Sequence, residues 1–299
     1  MSSLVRPRPA TLSRGVIGAC LAATWVIWGS TYLAIRYALP GFPPFLQMGT
    51  RFLAAGALLL AWSRWQGAPW PTRTQWRNAS IVGTLMLAGG MGGTAFAEQT
   101  VGSGLVVAFI AVVPMMIALA NLCFGLRPAR LEAWGIVVGL AGVLLLTRGN
   151  GFQGSPAGLV AITVACSAWS IGSVLSQQRL WLAPGAAGYA SQMLCGGAVL
   201  MMLAWMHGEK FASPLPSTAL WAWAYLVVFG SLVAFNAYMV LLDRASAALA
   251  SSYTFVNPLI AMLLGIAVAG EQVSPFEWGA VGVVLAGVVL LLFARRPRA

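Results

Sequence analysis

Tyr253, Thr254 and Asn257 lie just before Pro258 in a stretch, Ser246 to Gly270, that carries no charged side chain. Polar groups in so apolar a run mark a place where something binds or is gated. Pro258 has no N–H to give, so the carbonyl of Thr254 loses its helical partner. That carbonyl can hold an ammonium or a hydroxyl; the competing reading is a packing kink answered by a neighbouring Ser or Thr. Pro114 repeats the arrangement in Ser103 to Gly125 and frees the carbonyl of Ile110. Between Val113 and Met115, its packing role is the simpler reading.

Other polar and aromatic residues recur at helical spacing. Trp25, Trp28, Tyr32 and Arg36 fall on one helical face. Trp28 and Tyr32 can stack on an apolar or aromatic compound, and Arg36 can attract a carboxylate. Core packing of the rings and snorkelling of Arg36 to lipid headgroups are the plainer alternatives. Trp169, Ser173 and Gln177 form a second stripe, and Asn236 and Tyr238 a third group. Glu98 is an acid at the end of an apolar run, with Thr94 one turn away; inside a cavity it would be a proton-coupling site, at an interface an inert solvated group. The expected substrate lining is therefore Trp28, Tyr32, Thr94, Trp169, Ser173, Asn236, Tyr238, Tyr253 and Asn257. Glu98, Arg36, Pro114 and Pro258 are the expected gating or coupling residues. Rings and neutral hydrogen-bonding groups suit small zwitterions and apolar metabolites. Phosphorylated compounds would want several inward cations, and no lysine lies in any apolar run. Arg51 reads as a structural ion-pair or headgroup residue.

Other chemistries find no support. HExxH, GxSxG and Walker A patterns are missing, so neither an enzyme nor an ATP-driven pump is expected. The four cysteines stand singly in apolar runs, without metal-ligand spacing. No metal or cofactor is expected. The single histidine, His207, reads as a loop residue.

The elements that must hold these groups are membrane helices. The chain is 60% apolar and 8% charged, against roughly 25% charged in soluble domains. Its net charge of +11 comes from scattered arginines, which is not the footprint of a nucleic-acid binder. A bilayer core of about 30 Å needs about 20 apolar residues in a helix. Ten such runs are expected, at 15–36, 44–64, 79–98, 103–125, 131–148, 157–179, 184–206, 218–242, 246–270 and 276–294. With the N-terminus inside, thirteen of the seventeen basic residues fall on the inner side and four, Arg36, Arg51, Arg148 and Lys210, on the outer. Both termini are thus expected in the cytoplasm. Trp65, Trp70, Trp76, Trp181 and Trp221 fall near predicted interfaces. Gly89–Gly93 and the Gly135/Gly139 pair form small-residue faces for close helix approach.

The two proline runs are one of several internal echoes. Glu132, Trp134, Gly135 and Leu140–Val143 answer Glu277, Trp278, Gly279 and Leu285–Val288; Gly29, Ser30 and Arg36 answer Gly172, Ser173 and Arg179. Two halves of five spans each must enter the membrane from opposite faces, which makes the duplication an inverted repeat. The expected fold is an all-α integral membrane protein of ten transmembrane helices, 5+5. A basic N-terminus (1–14) and tail (295–299) would flank repeats at 15–148 and 149–294.

Trp28 to Arg36, Arg51-Phe52, Val256-Asn257-Pro258, Gly270-Glu271 and Leu285-Ala-Gly-Val288, in this order over about residues 15–294, resemble the EamA family of the drug/metabolite transporter superfamily. The likeness is to its bacterial amino-acid and metabolite exporters. It implies a central cavity lined by the first, third, fourth, sixth, eighth and ninth spans. The sequence departs from the family where Gly125 is followed by Leu126 rather than glutamate. The expected function is non-ATP export of amino acids, aromatic, apolar or threonine- and methionine-like, by a monomer in the bacterial inner membrane. Its partners would be a small-molecule substrate and the lipid bilayer. Nucleotide-sugar or sugar-phosphate antiport and multidrug export are the alternatives.

Overall fold

The computed structural model describes residues 13–101, 106, 110–146, 155–269 and 275–294. The segment near Gly102, Glu271, Arg148, Arg6, Arg8, Arg295, Arg296 and Arg298 lie outside the described residues. Those that are described are mainly helical, in the following order. Helix α1 spans Arg14–Ala38, α2 Pro44–Trp65 and α3 Arg73–Ala97. Helix α4 is Val113–Leu122, α5 Arg130–Leu146, α6 Pro156–Gln178 and α7 Ala186–Met206. Helix α8 is Ser217–Arg244, α9 Tyr253–Ala269 and α10 Pro275–Phe293. Six of these, α1, α2, α3, α6, α7 and α8, are long and apolar enough to cross a membrane.

The helix starts follow local chemistry. Ser13 caps α1 by accepting from the Val16 amide, Ser155 caps α6 by accepting from Gly158, and Thr72 with Gln75 closes a reciprocal box on α3. Helix α2 begins with Pro44, and its open amides at Phe45 and Leu46 are met by the Glu209 carboxylate at 3.2 and 2.6 Å. A carboxylate at a helix N-terminus satisfies amides and complements the dipole together. His207, expected in a loop, ends α7 and packs its ring on Phe45 and Phe96.

Two expectations about the proline runs are corrected. Ser246–Gly270 does not form one helix. A single turn, Ala247–Ala250, is capped by Ser246 and ends at Ser251 and Ser252, and α9 begins afresh at Tyr253. The Ser251 hydroxyl donates to the Ala247 carbonyl at 2.7 Å, one of the local side-chain bonds with which serine competes against helix propagation. Pro114 does not kink the middle of a helix; it occupies the first turn of α4, after a turn at Ala111–Val112. A helix start is where a missing N–H costs nothing.

Helices α3 and α8 share an unusual feature. Each is interrupted by a π-helical segment, Thr84–Gly92 in α3 and Leu226–Phe235 in α8. Such segments widen the helix by one residue per turn and collect at functional sites. Packing follows a pattern. The principal pairings are α2 with α7, α6 with α3, α5 with α10, α1 with α8, α3 with α7, α1 with α9, α6 with α4 and α2 with α8. Advancing every label by five, counting round past ten, returns the same set.

The α5–α10 pair meets backbone to backbone. A Cβ on Gly287 would stand 2.5 Å from the Gly139 amide nitrogen, and one on Gly135 2.8 Å from the Leu291 side chain. With lipid outside, close van der Waals contact between small residues is what holds such helices together. Trp65, Trp70 and Trp221 are exposed and Trp76 and Trp181 half-buried. Cys123 is exposed rather than packed in the core.

Candidate functional site

Four rings converge where α1, α6, α8 and α9 meet. Trp28 packs edge-on against Tyr253 at 4.6 Å and Trp169 at 5.8 Å between centroids, and lies 5.2 Å from Tyr238. Tyr238 also packs on Trp169 and Tyr253, at 5.2 and 5.5 Å. These are favoured offset and edge-to-face geometries, each worth about 0.5–1.5 kcal/mol beyond area burial.

The polar atoms of Trp28, Trp169 and Tyr238 are held by hydrogen bonds. Trp28 Nε1 donates to the Gly230 carbonyl at 3.2 Å, Trp169 Nε1 to the Tyr238 hydroxyl at 3.2 Å, and that hydroxyl is bonded to Ser173 Oγ at 3.0 Å. Trp25 Nε1 donates to Ser252 Oγ at 3.0 Å. Asn257, oriented so that its amide nitrogen meets acceptors, donates to the carbonyls of Tyr253 at 3.1 Å and Trp25 at 3.2 Å. It ties α9 to α1. These bonds fix the rings in place before anything binds.

Beside this cluster lies a cavity with about 90 Å³ of free space. A water needs roughly 10–15 Å³ on that measure, so several waters or a small polar head group fit. Its wall includes Trp28, Thr31, Tyr32 and Ile35 of α1, Met48 of α2, and Gly90, Met91, Thr94 and Ala95 of α3. Glu98, Ile110 and Val113 follow, with Ala165, Cys166 and Trp169 of α6 and Tyr253 and Asn257 of α9. Gly90 is what lets the wall form. A Cβ there would lie 3.0 Å from Trp169 Cε3.

The expected residues divide into three groups. Trp28, Tyr32, Thr94, Glu98, Trp169, Tyr253 and Asn257 line the cavity. Ser173 and Tyr238 are fully buried and bonded to each other behind Trp169. Arg36 and Asn236 are elsewhere. Arg36 is exposed in the last turn of α1, where a long cationic side chain reaches water most cheaply. The Asn236 amide turns back on its own helix, donating to the Leu232 carbonyl at 2.7 Å across the π-helical segment. Pro114 neighbours the wall residue Val113 but is not on the wall, and Pro258 sits in the second turn of α9. Helix α8, expected to line the cavity, supplies only the layer behind it.

Sequence reasoning missed the apolar wall, Ile35, Met48, Met91 and Val113, since such residues look like any core residue. It also misplaced Arg51. Counted on the outer side, Arg51 is fully buried in α2 and has no carboxylate within ion-pair distance among the described residues. A charge in the middle of an apolar run was the signal.

Comparison with known proteins accounts for this arrangement. The EamA-like transporter family matches the chain twice, over residues 13–148 and 156–293. The uncharacterised inner membrane transporter YedA of Escherichia coli K12 is 41% identical, over 93% of this chain and 92% of its own length. The protein PecM of Dickeya dadantii is 26% identical, over 91% of this chain and 92% of its own. A solved crystal structure superposes with a TM-score of 0.77 at 22% identity, covering 95% of this chain and all of that one, a likeness of fold. The chain is a multi-pass protein of the inner membrane and belongs to the EamA-like transporter family of the drug/metabolite transporter superfamily.

Proposed function

We propose that this transporter exports amino acids with apolar, aromatic or threonine- and methionine-like side chains, together with related small metabolites. Substrate is held in the ring-lined cavity and released by alternating access without ATP. The observation that carries this reading is the cavity wall itself. Trp28, Trp169 and Tyr253 offer ring faces and edges, Tyr32, Thr94 and Asn257 offer neutral hydrogen bonds, and Glu98 is its acid. No lysine or arginine is on that wall, which disfavours the sugar-phosphate alternative because phosphate recognition draws on arginine forks.

The pairing of helices supports two repeats, 15–148 and 149–294, related by a two-fold axis in the membrane plane. So does the double family match. In such inverted repeats the substrate sits near the bilayer midplane between the halves. On this reading the ten spans begin and end in the cytoplasm, one chain completes the pathway as a monomer, and it performs no covalent chemistry. Gating falls to the proline sites and the π-helical segments of α3 and α8, where helix geometry departs from the regular ladder. Glu98 couples the cycle to protons.

Purified protein in proteoliposomes tests the reading. Labelled threonine, methionine, phenylalanine and tryptophan are offered with and without an imposed proton gradient. Saturable flux of at least one is expected, driven by the gradient in the native protein and indifferent to it in Glu98→Gln. No flux of any of the four would overturn the amino-acid class. Gradient-independent flux in the native protein would remove Glu98 from the mechanism.

A further inference from the structure

Arg51 is the most anomalous group in the molecule. Its side chain is wholly buried. Nε donates to Ser231 Oγ at 2.7 Å, and Nη1 faces only the Met48 sulfur at 3.7 Å, a weak acceptor. Nη2 has no hydrogen-bond partner among the described residues. A buried ion without a counter-ion costs several kcal/mol, and a bilayer interior raises that cost. A buried cation in a membrane helix is a candidate partner for an anion.

The position of Arg51 says which anion. Its guanidinium lies directly behind the cavity wall. Met48, touching Nη1, is a wall residue. Nη2 occupies the space beside Gly230, where a Cβ would stand 2.6 Å from Nη2 and 3.3 Å from the Thr31 methyl, and Thr31 is also on the wall. The Gly230 carbonyl is the acceptor that holds Trp28. Met48, an unbranched and flexible side chain, therefore touches both the arginine and the cavity, and methionine moves aside more readily than branched residues. Glu98, the acid of the same wall, supplies the opposite sign.

We infer that Arg51 is the carboxylate anchor of the transport site, reached when Met48 swings away, so that the substrates are compounds bearing a carboxylate beside a small apolar body. The inference rests on the reading of this cavity as the substrate site and narrows its substrate class. A guanidinium presents two parallel donors to a carboxylate, and Nη1 and Nη2 are the two nitrogens that the fold leaves without an oxygen partner.

Thermal unfolding of the purified protein in detergent tests it, with isovalerate, its neutral amide isovaleramide, and sodium chloride at matched ionic strength as probes. Isovalerate should raise the unfolding temperature in a saturable way, while the amide and chloride should not. Arg51→Met should abolish the shift and Arg51→Lys keep part of it. Should Arg51→Met fail to fold, Gly230→Ala, which places a methyl against Nη2, should weaken isovalerate binding by about tenfold or more, within the cost of disturbing a buried charge pair. Equal shifts from acid and amide, equal shifts from acid and chloride, no shift with isovalerate, or an undiminished shift in the variants would each overturn the assignment. Failure of amino-acid flux with the isovalerate shift intact would remove the amino-acid reading and leave the anchor standing. Normal flux without any dependence on Arg51 would remove the anchor alone.

Discussion

Helices α3 and α8 are counterparts in the two halves, and each contains a π-helical segment. They are put to different uses. Along α3, Gly90, Met91, Thr94 and Ala95 open onto the cavity. Along α8, Gly230 and Ser231 close around Arg51, and Phe235 and Tyr238 are fully buried, so no residue of α8 reaches the cavity. The same irregularity makes space in one half and buries a cation in the other. The family model matches each half, and the residues placed on α3 and α8 decide which of the two helices lines the cavity.

Substitutions at paired positions sharpen that contrast. Gly90→Leu should cost the most in function. Its side chain would enter the cavity against Trp169, and flux should fall by about tenfold or more, a barrier of at least about 1.4 kcal/mol, with a smaller loss of thermal stability than at Gly230, since the nearest contact of a Cβ is 3.0 Å rather than 2.6 Å. Gly230→Leu should lose stability as well as flux, since Gly230 packs on the proposed carboxylate anchor. Its Cβ meets Arg51 Nη2 at 2.6 Å, and overpacking of this kind costs about 1–3 kcal/mol of stability, read as a lower unfolding temperature. Equal losses of stability from both would break the distinction between the two helices. Tyr238→Phe is milder. It removes the bonds to Ser173 and Trp169 while keeping the ring, for about 1 kcal/mol per bond in a melting curve. Asp243→Asn should do least. Its contact with Arg244 at 2.8 Å is partly exposed, and such pairs contribute about 0–1 kcal/mol.

Much of this was legible in the sequence because membrane helices are written in composition and period. The stripe of Trp28 and Tyr32 on α1, and the approach of Asn257 to it from α9, followed from helical spacing and from the cost of polar groups in an apolar run. What was hidden depended on neighbours. Arg36 and Arg51 both look like cations in α1 and α2, yet Arg36 ends its helix and reaches solvent, while Arg51 lies seven residues inside α2 beneath Gly230. The break before α9 was hidden because Ser251 and Ser252 are compatible with a helix until the Ser251 hydroxyl finds the Ala247 carbonyl and Ser252 Oγ accepts from Trp25 Nε1. The apolar wall was hidden because a cavity is a property of packing, and Met48 or Val113 carries no mark of facing one.

Saturable flux of a transported amino acid in proteoliposomes, compared among the native protein, Trp28→Ala and Asn257→Ala with each variant shown to be folded, tests the central claim most directly. The account predicts that both variants lose flux by about tenfold or more, as expected when an aromatic anchor or a buried polar contact is truncated at a binding site. Native flux in both folded variants would mean that the ring-lined cavity is packing and that the substrate passes elsewhere.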